Sequence, residues 1–227
     1  MTPPRKLERY LQILAVEDWR ILLEAAARRL THPLLNVYHV FEFELANVHR
    51  LPPKDFPDGI ALRLFRGERD TANVVAMLSR IGVPAPSAEQ RMRRGDLAAL
   101  ILAGDSELVG YTWTTFGEAW LPEVGATLRL CGDEAVRFDS LIMPRWRGRG
   151  FNYTLTIPIS RYLCDQGYRR TFSWVNALNS RSLKTQLRQG KRRVAIIVSS
   201  PFLGILRVRN LSKEAGITLE RSKPARA

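Results

Sequence analysis

The chain has 227 residues, 45% hydrophobic and 25% charged, with two cysteines and a net charge of +13. This length and balance describe one large folded domain with an extension and exclude a disordered or low-complexity chain. No apolar run reaches the roughly 18 residues that a membrane span needs, and the start lacks the apolar centre of a secretory leader. Cys131 and Cys164 are isolated, too few for a disulfide framework and without His or Cys at metal-ligand spacing. A soluble cytoplasmic protein that holds no metal is expected.

From residue 6 to 30 the residues Leu7, Leu11, Leu14, Leu22, Ala26 and Leu30 follow helical spacing and predict an amphipathic helix, ended by Thr31-His-Pro. Alternation over 35–45 predicts a strand with Val37, His39, Phe41 and Phe43 on one side. A link rich in Pro and Asp over 51–59 marks a boundary. Residues 1–58 are therefore read as an N-terminal helix and strand extension, 59–211 as the main domain and 212–227 as a basic tail.

Within the main domain the pattern predicts strand 60–67, helices 70–81 and 87–94, and strands 97–103 and 108–116 joined at Gly104-Asp-Ser. A long loop with Trp120 and Pro122 follows. Strand 135–143, helix 151–166 closed by Gly167, strand 170–175, helix 180–189, strand 192–199 and a last strand 204–211 complete the series. Hairpins in the first half and strand–helix–strand units in the second indicate a mixed α/β sheet with its chemistry on loops at strand ends.

The charge is unevenly placed. Residues 144–227 carry 18 basic and 3 acidic side chains, against 8 and 8 in 1–58 and 9 and 11 in 59–143. Such a basic half suits an anionic partner, whether a nucleic acid or a phosphorylated cofactor. The run Arg145-Trp-Arg-Gly-Arg-Gly150 supplies a specific place for one. Its glycines let backbone approach a ligand, and the helix after them offers unpaired N–H groups and the positive end of its dipole. That pattern suits phosphate or pyrophosphate. It is neither a dinucleotide fingerprint, for want of a third glycine, nor a Walker loop, for want of Gly-Lys-Ser/Thr.

The stretch Asp139-Ser-Leu-Ile-Met-Pro-Arg-Trp-Arg-Gly-Arg-Gly150 resembles the strand and pyrophosphate loop of the GNAT acetyltransferase superfamily. Downstream, Asn179-Ser-Arg-Ser182, on a helix ending in Gly190, is similar to that family's Asn-x-x-Ala/Ser helix. The resemblance implies a mostly antiparallel mixed sheet in which two central parallel strands splay apart, flanked by helices. It also implies acetyl-CoA as acyl donor and a primary amine as acceptor. By the same resemblance, Arg147, Gly148, Arg149, Gly150 and Phe151 would hold the pyrophosphate. The backbone of Leu141, Ile142 and Met143 would bond the pantetheine arm, and Asn179 and Ser182 would face its far end.

The resemblance has departures. Gln186 stands where many members carry a Tyr that protonates the leaving thiolate, and Lys191 follows Gly190 where an aromatic residue is usual. For the base that takes the amine proton the chain offers Asp139 on the central strand and Glu118 past the strand before it, with Glu123 as a further loop acid. Trp113, Trp120 and Trp146 surround the expected cleft in sequence, as core, lid or acceptor wall. Other readings of the same residues are an acyl-CoA-binding protein without turnover, a nucleic-acid-binding protein using the basic half, and a homodimer formed through the extension.

Overall fold

The computed structural model describes residues 34–221 apart from 53, 54, 105, 201, 213 and 215, together with Leu23 and Ala27. Leu23 and Ala27 are helical, and the rest of the helix expected over 6–30 lies outside the described residues. No helix among the described residues is long and apolar enough to cross a membrane.

The strands are β1 (Asn36–Glu44), β2 (Ile60–Arg66), β3 (Leu97–Ala103), β4 (Glu107–Phe116), β5 (Glu118–Leu121), β6 (Ala126–Arg129), β7 (Glu134–Ile142), β8 (Arg170–Asn176), β9 (Arg192–Ser200), β10 (Ile205–Asn210) and β11 (Leu219–Glu220). The helices are α1 (Thr71–Ser79), α2 (Ala85–Arg93), α3 (Phe151–Asp165) and α4 (Ser180–Arg188). Eight strands form the main sheet in the order β10-β9-β1-β8-β7-β4-β3-β2, and β11-β6-β5 form a smaller one. Pairing is antiparallel throughout except between β7 and β8. This mixed, mostly antiparallel sheet flanked by helices is the fold expected from the sequence.

The apolar run of β3 is buried on both sides because helices cover both faces. On one face Leu155, Ile159 and Leu163 of α3 meet Leu97, Ala99 and Ile101. On the other, Val74 and Leu78 of α1 and Ala88 and Met92 of α2 meet Ala98, Leu100 and Trp113. The small sheet adds Leu121 and Leu128 against Val40, Val136 and Phe172.

Three features differ from the sequence reading. The strand of the supposed extension, β1, lies inside the main sheet, paired with β8 on one side and β9 on the other. The described part of 1–58 is thus integral to the sheet and not packed upon it. The loop expected after β4 folds into the β5–β6 hairpin. Within the supposed tail, Ile217 is buried and β11 pairs with β6, so burial of one isoleucine anchors a segment whose composition suggested a frayed end.

A bulge interrupts the pairing of β7 with β4. Tyr111 pairs with Leu141 and Trp113 with Phe138, so Asp139 and Ser140 together face Thr112. Asp139 takes up the extra residue with φ of 47°, in the left-handed region. Gly110 permits the close approach of the strands there, since a Cβ would lie 2.7 Å from the Leu141 carbonyl oxygen.

Candidate active-site cleft between β7 and β8

The parallel pairing of β7 and β8 lasts for three residues, from Glu134–Arg170 to Val136–Phe172. Beyond it the bulged β7 leaves its neighbour and a cavity of about 370 Å³ opens between the strands. Arg137, Phe138, Asp139 and Ser140 line it from β7, and Ser173, Trp174, Val175 and Asn176 from β8. Alternation along each strand sorts these side chains onto two faces.

On the α1–α2 face, the rings of Phe138 and Trp174 stack across the gap with centroids 6.4 Å apart. Asp139 is turned to this face by the bulge. Its Oδ2 accepts from Arg91 Nη1 of α2 at 2.5 Å and its Oδ1 from the Tyr111 hydroxyl at 3.2 Å. Arg91 also lies over the Phe138 ring, 5.0 Å from its centroid. The carboxylate is therefore held at the cavity wall by two partners from other elements.

On the α3–α4 face the lining is polar and buried. Arg137 Nη1 donates to Thr156 Oγ1 of α3 at 3.0 Å, and that hydroxyl donates to the Asn152 carbonyl. Gln189 Nε2 donates to the same carbonyl at 3.2 Å. Lys191 Nζ lies 3.5 Å from Ser173 Oγ, which donates to Gln186 Oε1 at 3.1 Å. Burial lowers the pKa of Arg137 to about 10. Burial, and secondarily the charge of Arg137, hold the Lys191 ammonium well below the ordinary lysine range.

The loop at 144–150 borders this cleft. Gly148 and Gly150 have φ of 79° and 82°, and the α3 helix starts at Phe151. Among the described residues, the N–H groups of Gly148 to Asn152 make no backbone hydrogen bond, and space is open around Gly148. The arginines of the loop are held in place. Arg145 pairs with Glu107 at 2.6 Å, Arg147 Nε donates to the Ile142 carbonyl at 3.0 Å, and Arg149 covers the Trp146 ring. Glu107 also accepts from the Trp146 indole N–H. N–H groups without a backbone partner at the start of a 15-residue helix, with three arginines on the loop before it, make a candidate anion cradle.

Of the residues singled out in the sequence, Asp139, Asn179 and Ser182 line the cavity. Asn179 caps α4, its Oδ1 accepting from the Ser182 N–H at 3.2 Å, which explains the spacing of that pair. Arg147 to Phe151 do not line it, although Asn152 does. Leu141, Ile142 and Met143 lie where β7 leads from the cavity to the loop. Two of their backbone groups are engaged, since the Met143 N–H donates to the Val109 carbonyl and the Ile142 carbonyl accepts from Arg147. Glu118 is exposed at the start of β5 and outside the cavity, whereas Glu123 lines it. Trp113 is fully buried in the core, and Trp113, Trp120 and Trp146 are all absent from the lining, where Trp174 supplies the aromatic wall instead.

Sequence reasoning missed Arg137 as a site residue and took Lys191 for a departure and for a basic residue at the adenosine end of the donor or on the surface, whereas it is buried in the cavity wall. The available signals were a cation inside the apolar strand Glu134-Ala-Val-Arg-Phe138 and a lysine immediately before one. No group of His, Cys, Asp and Glu able to hold a metal occurs among the described residues.

No family model matches the chain, and no curated protein matches it. Solved structures of similar shape exist. One is a Drosophila structural-genomics protein, 14% identical over 82% of this chain and 59% of its own, with a TM-score of 0.50. Another is a GNAT-family acetyltransferase from Colwellia psychrerythraea, 13% identical over 72% of this chain and 55% of its own, at 0.49. A third is a GCN5-related N-acetyltransferase from Sphaerobacter thermophilus, 17% identical over 76% of this chain and 54% of its own, at 0.48. The chain thus spans little more than half the length of these proteins. At such identities the likeness is one of fold.

Proposed function

We propose that the chain transfers an acyl group from an acyl-CoA thioester to an amine acceptor. The observation that carries this reading is the gap between β7 and β8, entered beside the free N–H groups at the start of α3. The residues fit the donor. The N–H groups of Gly148 to Asn152, with Arg147 and Arg149 beside them, suit a pyrophosphate. The edge of β7 beyond Val136 has no strand partner on the β8 side and suits an extended amide-bearing arm such as pantetheine.

With the thioester in the cleft, Asp139 is the proposed base, taking the proton of the amine as its nitrogen attacks the carbonyl carbon. The tetrahedral adduct then collapses with cleavage of the C–S bond, releasing the CoA thiolate, which takes its proton from solvent. Arg91 and Tyr111 position the carboxylate. Glu118, outside the cavity, takes no part.

Isothermal titration of the full chain with acetyl-CoA, followed by thiol release across a panel of amines, tests the reading. Asp139→Asn is expected to lower turnover by about a hundredfold or more, the scale of a general base, with acetyl-CoA affinity retained. Absence of binding at millimolar acetyl-CoA overturns it. Binding without thiol release favours a second reading, a non-catalytic acyl-CoA-binding protein. That reading is supported by Gln186, which accepts a hydrogen bond from Ser173 and has no acidic proton for a departing thiolate.

A further inference from the structure

Arg137 on β7 and Lys191 just before β9 are each 6% exposed and line one wall of one cavity. Buried cations are ordinarily paired, because removal from water must be offset by an anion. Neither forms an ion pair with a described carboxylate. Asp139 is held by Arg91 on the opposite face, and no acid contributes to the depression of Lys191. Their hydrogen bonds leave donors unspent. Arg137 gives one Nη1 bond to Thr156 while its Nε has no acceptor, and Lys191 has a single long contact to a hydroxyl.

Two cationic groups held side by side in a buried wall disfavour each other's charge, and a ligand anion offsets that cost. Ser173, Gln186 and Gln189 beside them are neutral, and Glu123, which also lines the cavity, is not among the causes that shift Arg137 or Lys191. The guanidinium is planar and forked, which matches a carboxylate. Of the cradle residues 148–152 only Asn152 lines the cavity, so the phosphates of a donor would sit at 148–151, away from this wall.

We propose that the cleft takes a substrate bearing a carboxylate, bound between Arg137 and Lys191. The carboxylate belongs either to the acyl group, as in the half-thioester of a dicarboxylic acid, or to the acceptor, as in an amino acid. This deepens the acyl-transfer reading and rests on it for the identity of the substrate, but the carboxylate preference is measurable independently.

The test compares matched pairs on the full chain by calorimetry: succinate against succinamide, succinyl-CoA against acetyl-CoA, and amino acids against their amides. At least tenfold tighter binding of the carboxylate member is expected. Lys191→Met and Arg137→Met should each reduce this ratio towards one. Preference confined to the CoA pair places the carboxylate on the acyl group, and preference confined to the amino-acid pair places it on the acceptor; both support the proposal. Equal binding within every pair overturns it, as does a preference that survives both substitutions. So does a Lys191→Met chain that loses turnover of charged and neutral substrates alike. The succinate pair needs no CoA, so failure of acetyl-CoA to bind while succinate is preferred overturns the acyl-transfer reading alone. The wild-type pairs decide for or against the carboxylate preference even where a variant does not fold.

Discussion

The molecule keeps two sets of cations a short way apart and treats them oppositely. Arg145, Arg147 and Arg149 sit on the loop before α3, in reach of water, and each has a partner: Glu107, the Ile142 carbonyl and the Trp146 ring. Arg137 and Lys191 sit inside the cleft without a described carboxylate on either. Charge that water can solvate costs little and says little about function, whereas buried charge without an anion is expensive and persists only with compensation elsewhere. In the proposed function the exposed set serves as the anion cradle and the buried set as the selective one.

The largest effect should come from reversing the charge of the cradle. Gly150→Glu places a carboxylate beside the N–H groups and forces a side chain onto a φ of 82°. Acyl-CoA affinity should fall by on the order of a hundredfold through repulsion and lost helix-end contacts, measured by calorimetry. Gly148→Ala separates backbone strain from charge, and an equal loss in that variant would show strain to be the cause.

The buried set should respond in the opposite sense. Lys191→Met removes an ammonium that burial disfavours and fills its volume with an apolar side chain, so stability should rise by roughly 1–3 kcal/mol. Thermal and urea unfolding measure it. A fall of similar size would mean that Lys191 is compensated in the folded chain and would undo the contrast with the loop arginines.

A pH series sharpens the same contrast. The depressed pKa of Lys191 means that the unfolded chain binds a proton there over a range where the folded chain has released it. Stability should therefore rise with pH from that depressed value up to the ordinary lysine value of 10.5. Arg137 adds in the same direction only above about 10. Urea unfolding between neutral pH and about pH 10 should show a rise that Lys191→Met diminishes.

The smallest effect belongs to the exposed set. Glu107→Ala frees Arg145 and the Trp146 indole together and should cost about 0.5–1 kcal/mol, the scale of a surface pair and a neutral hydrogen bond. A severalfold loss of acyl-CoA affinity should accompany it. An unchanged affinity would show that the backbone alone holds the cradle.

Legibility in the sequence depends on the range of the interactions. Strand β3 is readable because seven apolar residues in succession between turn signals have few other uses. The Asn179–Ser182 spacing is singled out by resemblance, and its local role as a helix cap emerges only from the structure. The β5–β6 hairpin is not readable, since strands of four residues are too short to show alternation and Pro122 resembles loop punctuation. Ile217, one apolar residue in a basic segment, gives no periodic signal. Arg137 resembles a solvent-facing residue of a half-buried strand, and only α3 across that face, with Thr156 opposite, shows it buried.

The sequence by itself determined the strands and helices of the main domain other than β5 and β6, and the glycine and arginine pattern of the loop before α3, because each depends on neighbours a few residues apart. Tertiary structure alone decided that β1 enters between β8 and β9, that β7 parts from β8 at the bulge, and that Arg137 meets Lys191 in the opening. The physical reason is that backbone hydrogen bonds are alike for every strand. Partner choice therefore comes from the burial of whole faces, which no single segment encodes.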